Sequence, residues 1–190
     1  EIFLSSFQNQ HKSLENRLKR FSDVIFSFFL LLATFPILLG VFLMIKIEDR
    51  GPIFYTQYRS GFKGKKFKIY KIRSMHTKAE INGAQWARYN DTRITKVGNL
   101  IRKTRLDELP QLINVLKGEM SLIGPRPERP EIDEKLSSKI PLYNYRYFVK
   151  PGLSGWAQVN YPYGASIEDS AKKFSYDLFY MKNFSIWLDI

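Results

Sequence analysis

Apolar and polar positions divide this chain into three patterns. Val24 to Ile45 is a run of 22 residues without a charge, and a straight helix of that length reaches about 33 Å, enough for a bilayer core. Pro36 sits near its middle. It has no N–H to offer Leu32 and crowds the preceding turn, so a kink is expected. Pro52 to Arg59 and Lys65 to Arg73 read as extended segments around Gly61 and Gly64, which predicts a hairpin. Residues 76 to 98 are polar, with Asn82-Gly83 and Asn90-Asp91 as turn signals, and predict a long loop. A helix is expected over about residues 107 to 118, with Leu109, Leu112, Ile113 and Leu116 on one face. Asp107 as its N-cap would put Pro110 in the first turn, where a missing N–H costs little. Three prolines between residues 121 and 131, Pro125, Pro127 and Pro130, exclude a regular helix there. Ser166 to Lys182 again has helical spacing, with Ile167, Ala171, Phe174, Leu178 and Met181 on one face, and Ser185 is placed to cap a last helix.

Charge changes the picture of the apolar run. The chain has 30 Lys and Arg against 18 acids, a net charge of +12, which suits anionic lipid, nucleic acid or phosphorylated small molecules. The uncharged run argues against nucleic acid. Both flanks of the run are basic: Lys12, Arg17, Lys19 and Arg20 precede it, and nine Lys or Arg lie between Lys46 and Arg73. Such flanks belong on the cytoplasmic side. A helix that enters, bends at Pro36 and returns keeps both there and is the favoured reading; a spanning helix, which would put one basic flank outside, and a buried core helix are the alternatives. With no cysteine there is no disulfide framework and no thiolate metal site, and two histidines argue against a zinc site. The chain begins at Glu1 and ends in an apolar stretch at Ile190, which reads as an excerpt of a longer protein. Three regions are expected: a basic amphipathic lead-in (1–20), a re-entrant membrane helix (21–47) and a catalytic body (48–190). The fold class is α+β and largely helical, with further amphipathic helices at the interface.

The candidate chemistry centres on Leu106-Asp107-Glu108-Leu109-Pro110-Gln111-Leu112. Two adjacent carboxylates stand behind Arg102, Lys103 and Arg105, and Gly124-Pro125-Arg126-Pro127 follows. A carboxylate can attack phosphorus or hold a metal, while arginines take up phosphate charge. Each piece alone has a plainer reading: acids cap helices, a Pro-flanked arginine sits in surface turns, and Trp86, Trp156 and Trp187 anchor cores or interfaces.

Together the pieces are more specific. A Pro-broken apolar helix precedes Phe67-Lys68-Ile69-Tyr70-Lys71-Ile72-Arg73-Ser74-Met75. The Asp107-Glu108 motif, Asn114-Val115-Leu116-Lys117-Gly118-Glu119-Met120-Ser121, Gly124-Pro125-Arg126-Pro127 and Pro151-Gly152-Leu153-Ser154-Gly155-Trp156-Ala157-Gln158-Val159-Asn160 follow in order. This series closely resembles the bacterial sugar transferases, the monotopic polyprenyl-phosphate phosphoglycosyl transferases, from about residue 16 to 190. The resemblance implies transfer of a sugar-1-phosphate from a UDP-sugar to undecaprenyl phosphate, with release of UMP and Mg²⁺ as cofactor. It implies Asp107 as the covalent nucleophile and a Mg²⁺ contact, Glu108 as its partner, and Lys71, Arg73, Arg102, Arg126, Lys150 and Asp177 as substrate or phosphate contacts. It further implies the cytoplasmic face of a bacterial inner membrane, contact with its lipids, and allows a homodimer. Two departures stand out. Phe35 occupies the place before Pro36 where family members often carry Ser, with Thr34 one residue earlier. Lys150 stands where some small members have Arg. Gly124 to Glu131 and Tyr161 to Ser166 look like the larger members, which carry further segments upstream. Rival readings are a glycosyltransferase releasing UDP and a basic membrane scaffold.

Overall fold

The computed structural model describes residues 13–77, 79, 91–162, 164 and 166–189. The first twelve residues of the basic lead-in, the Asn82-Gly83 turn, Asn90 and Trp86 lie outside the described residues. Helix α1 runs from Ser13 to Asp49 through Pro36, so the described part of the lead-in and the apolar run form one helix. Two residues before the proline, the Thr34 hydroxyl donates back to Leu30 O at 2.7 Å, a bond of the kind that bends helices. The displaced hydroxyl thus still bonds to the helix backbone just before Pro36.

Strands β1 (Phe54–Ser60) and β2 (Lys66–Ile72) form the expected antiparallel hairpin, joined by a single 3₁₀ turn, Phe62–Gly64. A bridge between Met75 and Ile94 closes the base of the polar loop. Helix α2 (Lys96–Lys103) starts inside that segment, capped by the Thr95 side chain, which accepts from Gly98 N. Gly98 lets α2 cross the end of β2, since a Cβ there would overlap Ser74 O.

The expected helix over 107–118 divides in two. Leu106–Gln111 is a 3₁₀ segment, and only α3 (Leu112–Lys117) is α-helical. Asp107 is not the N-cap. Arg105 holds that position with φ 59°, a left-handed conformation uncommon outside glycine. The change from 3₁₀ to α-helical winding shifts the buried face: Leu112, Asn114 and Val115 are inside, and Ile113 is exposed. Short strands β3 (Ser121–Ile123) and β4 (Gly152–Ser154) pair in parallel. Between them come α4 (Pro130–Lys139) and a 3₁₀ segment, Tyr143–Phe148. Pro130 ends the proline-rich loop by opening α4, where its missing N–H is harmless. Helices α5 (Trp156–Asn160), α6 (Ile167–Lys182) and α7 (Ile186–Asp189) complete the chain. Ser166 and Asp169 form a capping box on α6. The Ser185 hydroxyl accepts from Leu188 N at 3.2 Å. On α6 the buried positions are Phe174, Asp177, Tyr180 and Met181, and Ala171 faces solvent.

Helix α1 meets the rest of the chain at both ends of its apolar run. Near one end Asp23 accepts from the Ser121 hydroxyl at 2.8 Å and from Leu122 N at 3.2 Å, while Arg20 donates to Val115 O and Leu116 O. Near the other end Leu38, Val41 and Ile45 pack with Ile72 and Ile101, and Leu106 and Leu109 join that cluster. No residue from 28 to 37 is buried, and Phe28, Phe29, Leu32, Phe35 and Ile37 stand out in the open. By length and composition α1 can cross a membrane. The whole is a small α+β fold, mostly helical.

Candidate active site

The Asp107-Glu108 pair is placed by its neighbours in sequence. Leu106 and Leu109 bracket it and bury themselves against α1 and α2. Those anchors and the left-handed Arg105 turn the two carboxylates toward a cavity of about 800 Å³. Asp107 is 7% exposed and Glu108 8%. Opposite them stands β2. Its period of two puts Lys71 on the same face as Phe67 and Ile69, while Ile72 points into the cluster on α1. Asn114, fully buried on α3, fixes the distance between these elements. It donates to Lys68 O and Glu119 Oε2 and accepts from Tyr70 N.

The two carboxylates then differ sharply. Glu108 takes a 2.8 Å bond from Lys71 Nζ and is paired with both terminal nitrogens of Arg126. Burial pushes its carboxyl up, but the Lys71 and Arg126 charges outweigh burial and hold it well below the usual carboxylate range. Asp107, among the described residues, accepts no hydrogen bond and forms no ion pair. Burial raises its carboxyl, with Lys71 opposing and Glu108 adding to the shift. Burial likewise lowers the Lys71 ammonium against the pull of Glu108. Arg126 goes the other way: burial acts to lower it, and Glu108 more than reverses this.

Of the other candidates, Arg102 and Asp177 line the same cavity. Arg73 lines it too, but its guanidinium is engaged by Asp49 at 2.8 Å and lies over Gly51. Asp177 is buried against Arg146 at 3.3 Å, and burial pushes its carboxyl up to about 6, with Arg146 opposing. Lys150 is not among the cavity's lining residues. Its ammonium lies by Gly118 and Arg20, under α3. The structure therefore brings seven of the eight candidates to one cavity and leaves Lys150 beside α1.

Two glycine motifs build the far wall. A Cβ on Gly152 or on Gly155 would collide with the backbone of Gly124, and one on Gly124 would lie 2.6 Å from Lys150 O. This interlock holds the Gly124-Pro125-Arg126-Pro127 loop against β4 and carries Arg126 to Glu108. Sequence reasoning missed Arg59 and Arg146, both at the cavity wall. Neither sits in a motif, and a buried arginine has no signal of its own in a chain this basic.

A metal would have a narrow donor set here. Among the described residues no cluster of three or more His, Cys, Asp or Glu could hold an ion. Mg²⁺ commonly takes one or two carboxylates and completes its shell with water and substrate phosphates. The unengaged Asp107 carboxylate fits that mode, and Glu108, already paired, fits it less well.

The fold and this site define a family. The family model described as bacterial sugar transferase matches residues 14–190, and the chain belongs to that family. It is 46% identical over 173 residues to the UDP-N-acetylgalactosamine-undecaprenyl-phosphate N-acetylgalactosaminephosphotransferase of Aeromonas hydrophila, covering 91% of this chain and 41% of that protein. It is 42% identical over 175 residues to the UDP-glucose:undecaprenyl-phosphate glucose-1-phosphate transferase of Escherichia coli (strain K12), covering 91% and 38%. The uncharacterized sugar transferase EpsL of Bacillus subtilis (strain 168) is 41% identical over 177 residues, covering 91% and 82%. The chain thus spans about two fifths of the length of the first two relatives.

Proposed function

We propose that this chain transfers a sugar-1-phosphate from a UDP-sugar to undecaprenyl phosphate and releases UMP. The observation that carries this reading is the division between the carboxylates: Glu108 is neutralised by Lys71 and Arg126, and Asp107 beside it has no partner among the described residues. An unengaged, buried carboxylate next to two cations is equipped to attack phosphorus. In the first step an Asp107 oxygen bonds to the β-phosphorus and the bond from that phosphorus to the bridging oxygen breaks. UMP departs with the electron pair. In the second step an oxygen of undecaprenyl phosphate attacks the same phosphorus, the aspartyl bond breaks, and Asp107 is restored as a carboxylate. Arg126 and Lys71 stabilise charge on the transferring phosphoryl group, and Glu108 holds both in place. Asp107 would hold Mg²⁺ together with the substrate's phosphates, and the ion supplies charge neutralisation there.

Membrane attachment by a re-entrant α1 belongs to the same proposal. Both ends of the apolar run pack on one body while its middle stands free, as expected of a helix that dips into a bilayer and returns. The catalytic body would then lie at the cytoplasmic face of the inner membrane, where a lipid-linked phosphate can reach the cavity. The named relatives differ in sugar, so the test uses several. Purified protein is given undecaprenyl phosphate, Mg²⁺ and UDP-glucose, UDP-galactose or UDP-N-acetylgalactosamine. The expected nucleotide product is UMP with one or more of them. Release of UDP would point instead to transfer of the sugar alone.

A further inference from the structure

The loop that carries Arg126 is unusual in how it is held. Pro125 and Pro127 have no N–H, so the segment can anchor itself mainly through its carbonyls. Four consecutive carbonyls are each gripped by a donor from elsewhere. Pro125 O accepts from Gly152 N at 2.9 Å, and Glu128 O accepts from Ser60 N at 3.0 Å. Between them, Arg126 O accepts from Arg146 Nη2 at 2.5 Å and Pro127 O from Arg59 Nη1 at 3.1 Å. Two of the four donors are arginine side chains.

Arg146 is the more committed of the two. It is buried, its other terminal nitrogen donates to the Tyr143 hydroxyl, and Asp177 pairs with it at 3.3 Å. Its charge is met by Asp177 and both of its terminal nitrogens are engaged by protein oxygens, which leaves little of it for a phosphate. The carbonyl it holds belongs to the residue whose side chain meets Glu108. A guanidinium has the reach and the fork to bridge a carboxylate on α6 and a carbonyl on the loop, and an ammonium has one point of charge.

We propose that Arg146, seated on Asp177, is a positioning residue: by gripping Arg126 O it fixes the loop so that the Arg126 guanidinium stands ready over the dyad. The consequence is preorganisation, since a phosphate contact that must first be ordered contributes less to the transition state. This rests on the reading of Arg126 as a phosphate contact. It also assigns Asp177 a role as seat of Arg146 in place of direct substrate contact.

A double-mutant cycle with hydrogen exchange tests it. Arg146→Lys keeps a charge for Asp177, so the buried carboxylate is not left unpaired. Activity is read as UMP release per folded molecule. Arg146→Lys is expected to lower kcat/KM about tenfold in the wild-type background and to change it less than about twofold in Arg126→Ala, because a clamp on an absent side chain has nothing left to position. Exchange at the Ser60 and Gly152 amides, whose bonds end on the loop's carbonyls, should quicken in Arg146→Lys while amides of β2 do not change. If the two substitutions multiply, Arg146 touches substrate itself and the proposal is overturned. Unchanged exchange at Ser60 and Gly152 overturns it as well, whatever the kinetics. Full UMP release by Arg126→Ala would instead remove the phosphate role of Arg126, and the exchange data would still decide whether the clamp exists.

Discussion

Adjacent carboxylates rarely do the same work, and here their surroundings separate them. Glu108 is a fixed anion that organises Lys71 and Arg126. The burial of Asp107 is offset only in part by the Lys71, Arg102 and Arg105 charges, which keeps its carboxylate reactive and makes it costly. Linkage turns this into opposite expectations. The raised Asp107 carboxyl binds a proton more readily in the folded than in the unfolded chain. Its ionised form therefore weakens the fold at neutral pH, and that penalty fades as pH falls toward the ordinary value of 3.8. Asp107→Asn should melt above wild type at pH 7, with the gap closing toward pH 4. Glu108 is lowered, so its contribution is present above its unfolded value of 4.5 and lost as pH falls through the folded value. Glu108→Gln should melt below wild type at pH 7. Thermal midpoints of the three proteins across pH 4 to 7 check both signs, and a less stable Asp107→Asn at neutral pH would contradict them. At Arg126, replacement by Ala should cost about 2–4 kcal/mol of transition-state stabilisation in kcat/KM, the scale for one charge-stabilising donor. Arg126→Lys should recover part of it. Steady-state kinetics decides, and full UMP release by Arg126→Ala would exclude the phosphate role.

Among the elements, α1 has the largest consequence. Its inner stripe of Leu38, Val41 and Ile45 supports Leu106 and Leu109, so the long apolar helix and the residues that bracket the dyad share one cluster. A re-entrant α1 puts both its ends and the body on one side. Cysteines introduced by Asn16→Cys and Ser138→Cys, probed separately with an impermeant thiol reagent in sealed inner-membrane vesicles, should label alike. Labelling of one and protection of the other would mean a spanning helix. Regular periodicity made the hairpin, α6 and the apolar run legible in the sequence, and the prolines marked the loop after β3. The 3₁₀ winding of Leu106–Gln111 was not legible, because a proline near a helix start suits either winding. The start of α4 was hidden inside the proline cluster, although Pro130 is a good first residue of a helix.

At the scale of the molecule, seven of the eight candidate residues meet at one cavity although they come from segments 106 positions apart. The motifs announced most of the candidate side chains that line the cavity. They did not announce those that hold the motifs: Asn114 between β2 and α3, the contact of Gly124 with Gly152 and Gly155, and the carbonyl grip of Arg59 and Arg146. Such contacts are long-range and leave no local pattern. Lys150 illustrates the converse, since its place beside a motif did not bring it to the cavity. The central claim is that Asp107 becomes covalently loaded with sugar phosphate. Intact-mass measurement after incubation with a UDP-sugar and Mg²⁺, without undecaprenyl phosphate, tests it most directly. The wild-type protein should gain the mass of one sugar phosphate and lose it again when the lipid is added, and Asp107→Asn should gain nothing. The same adduct on Asp107→Asn would contradict the account.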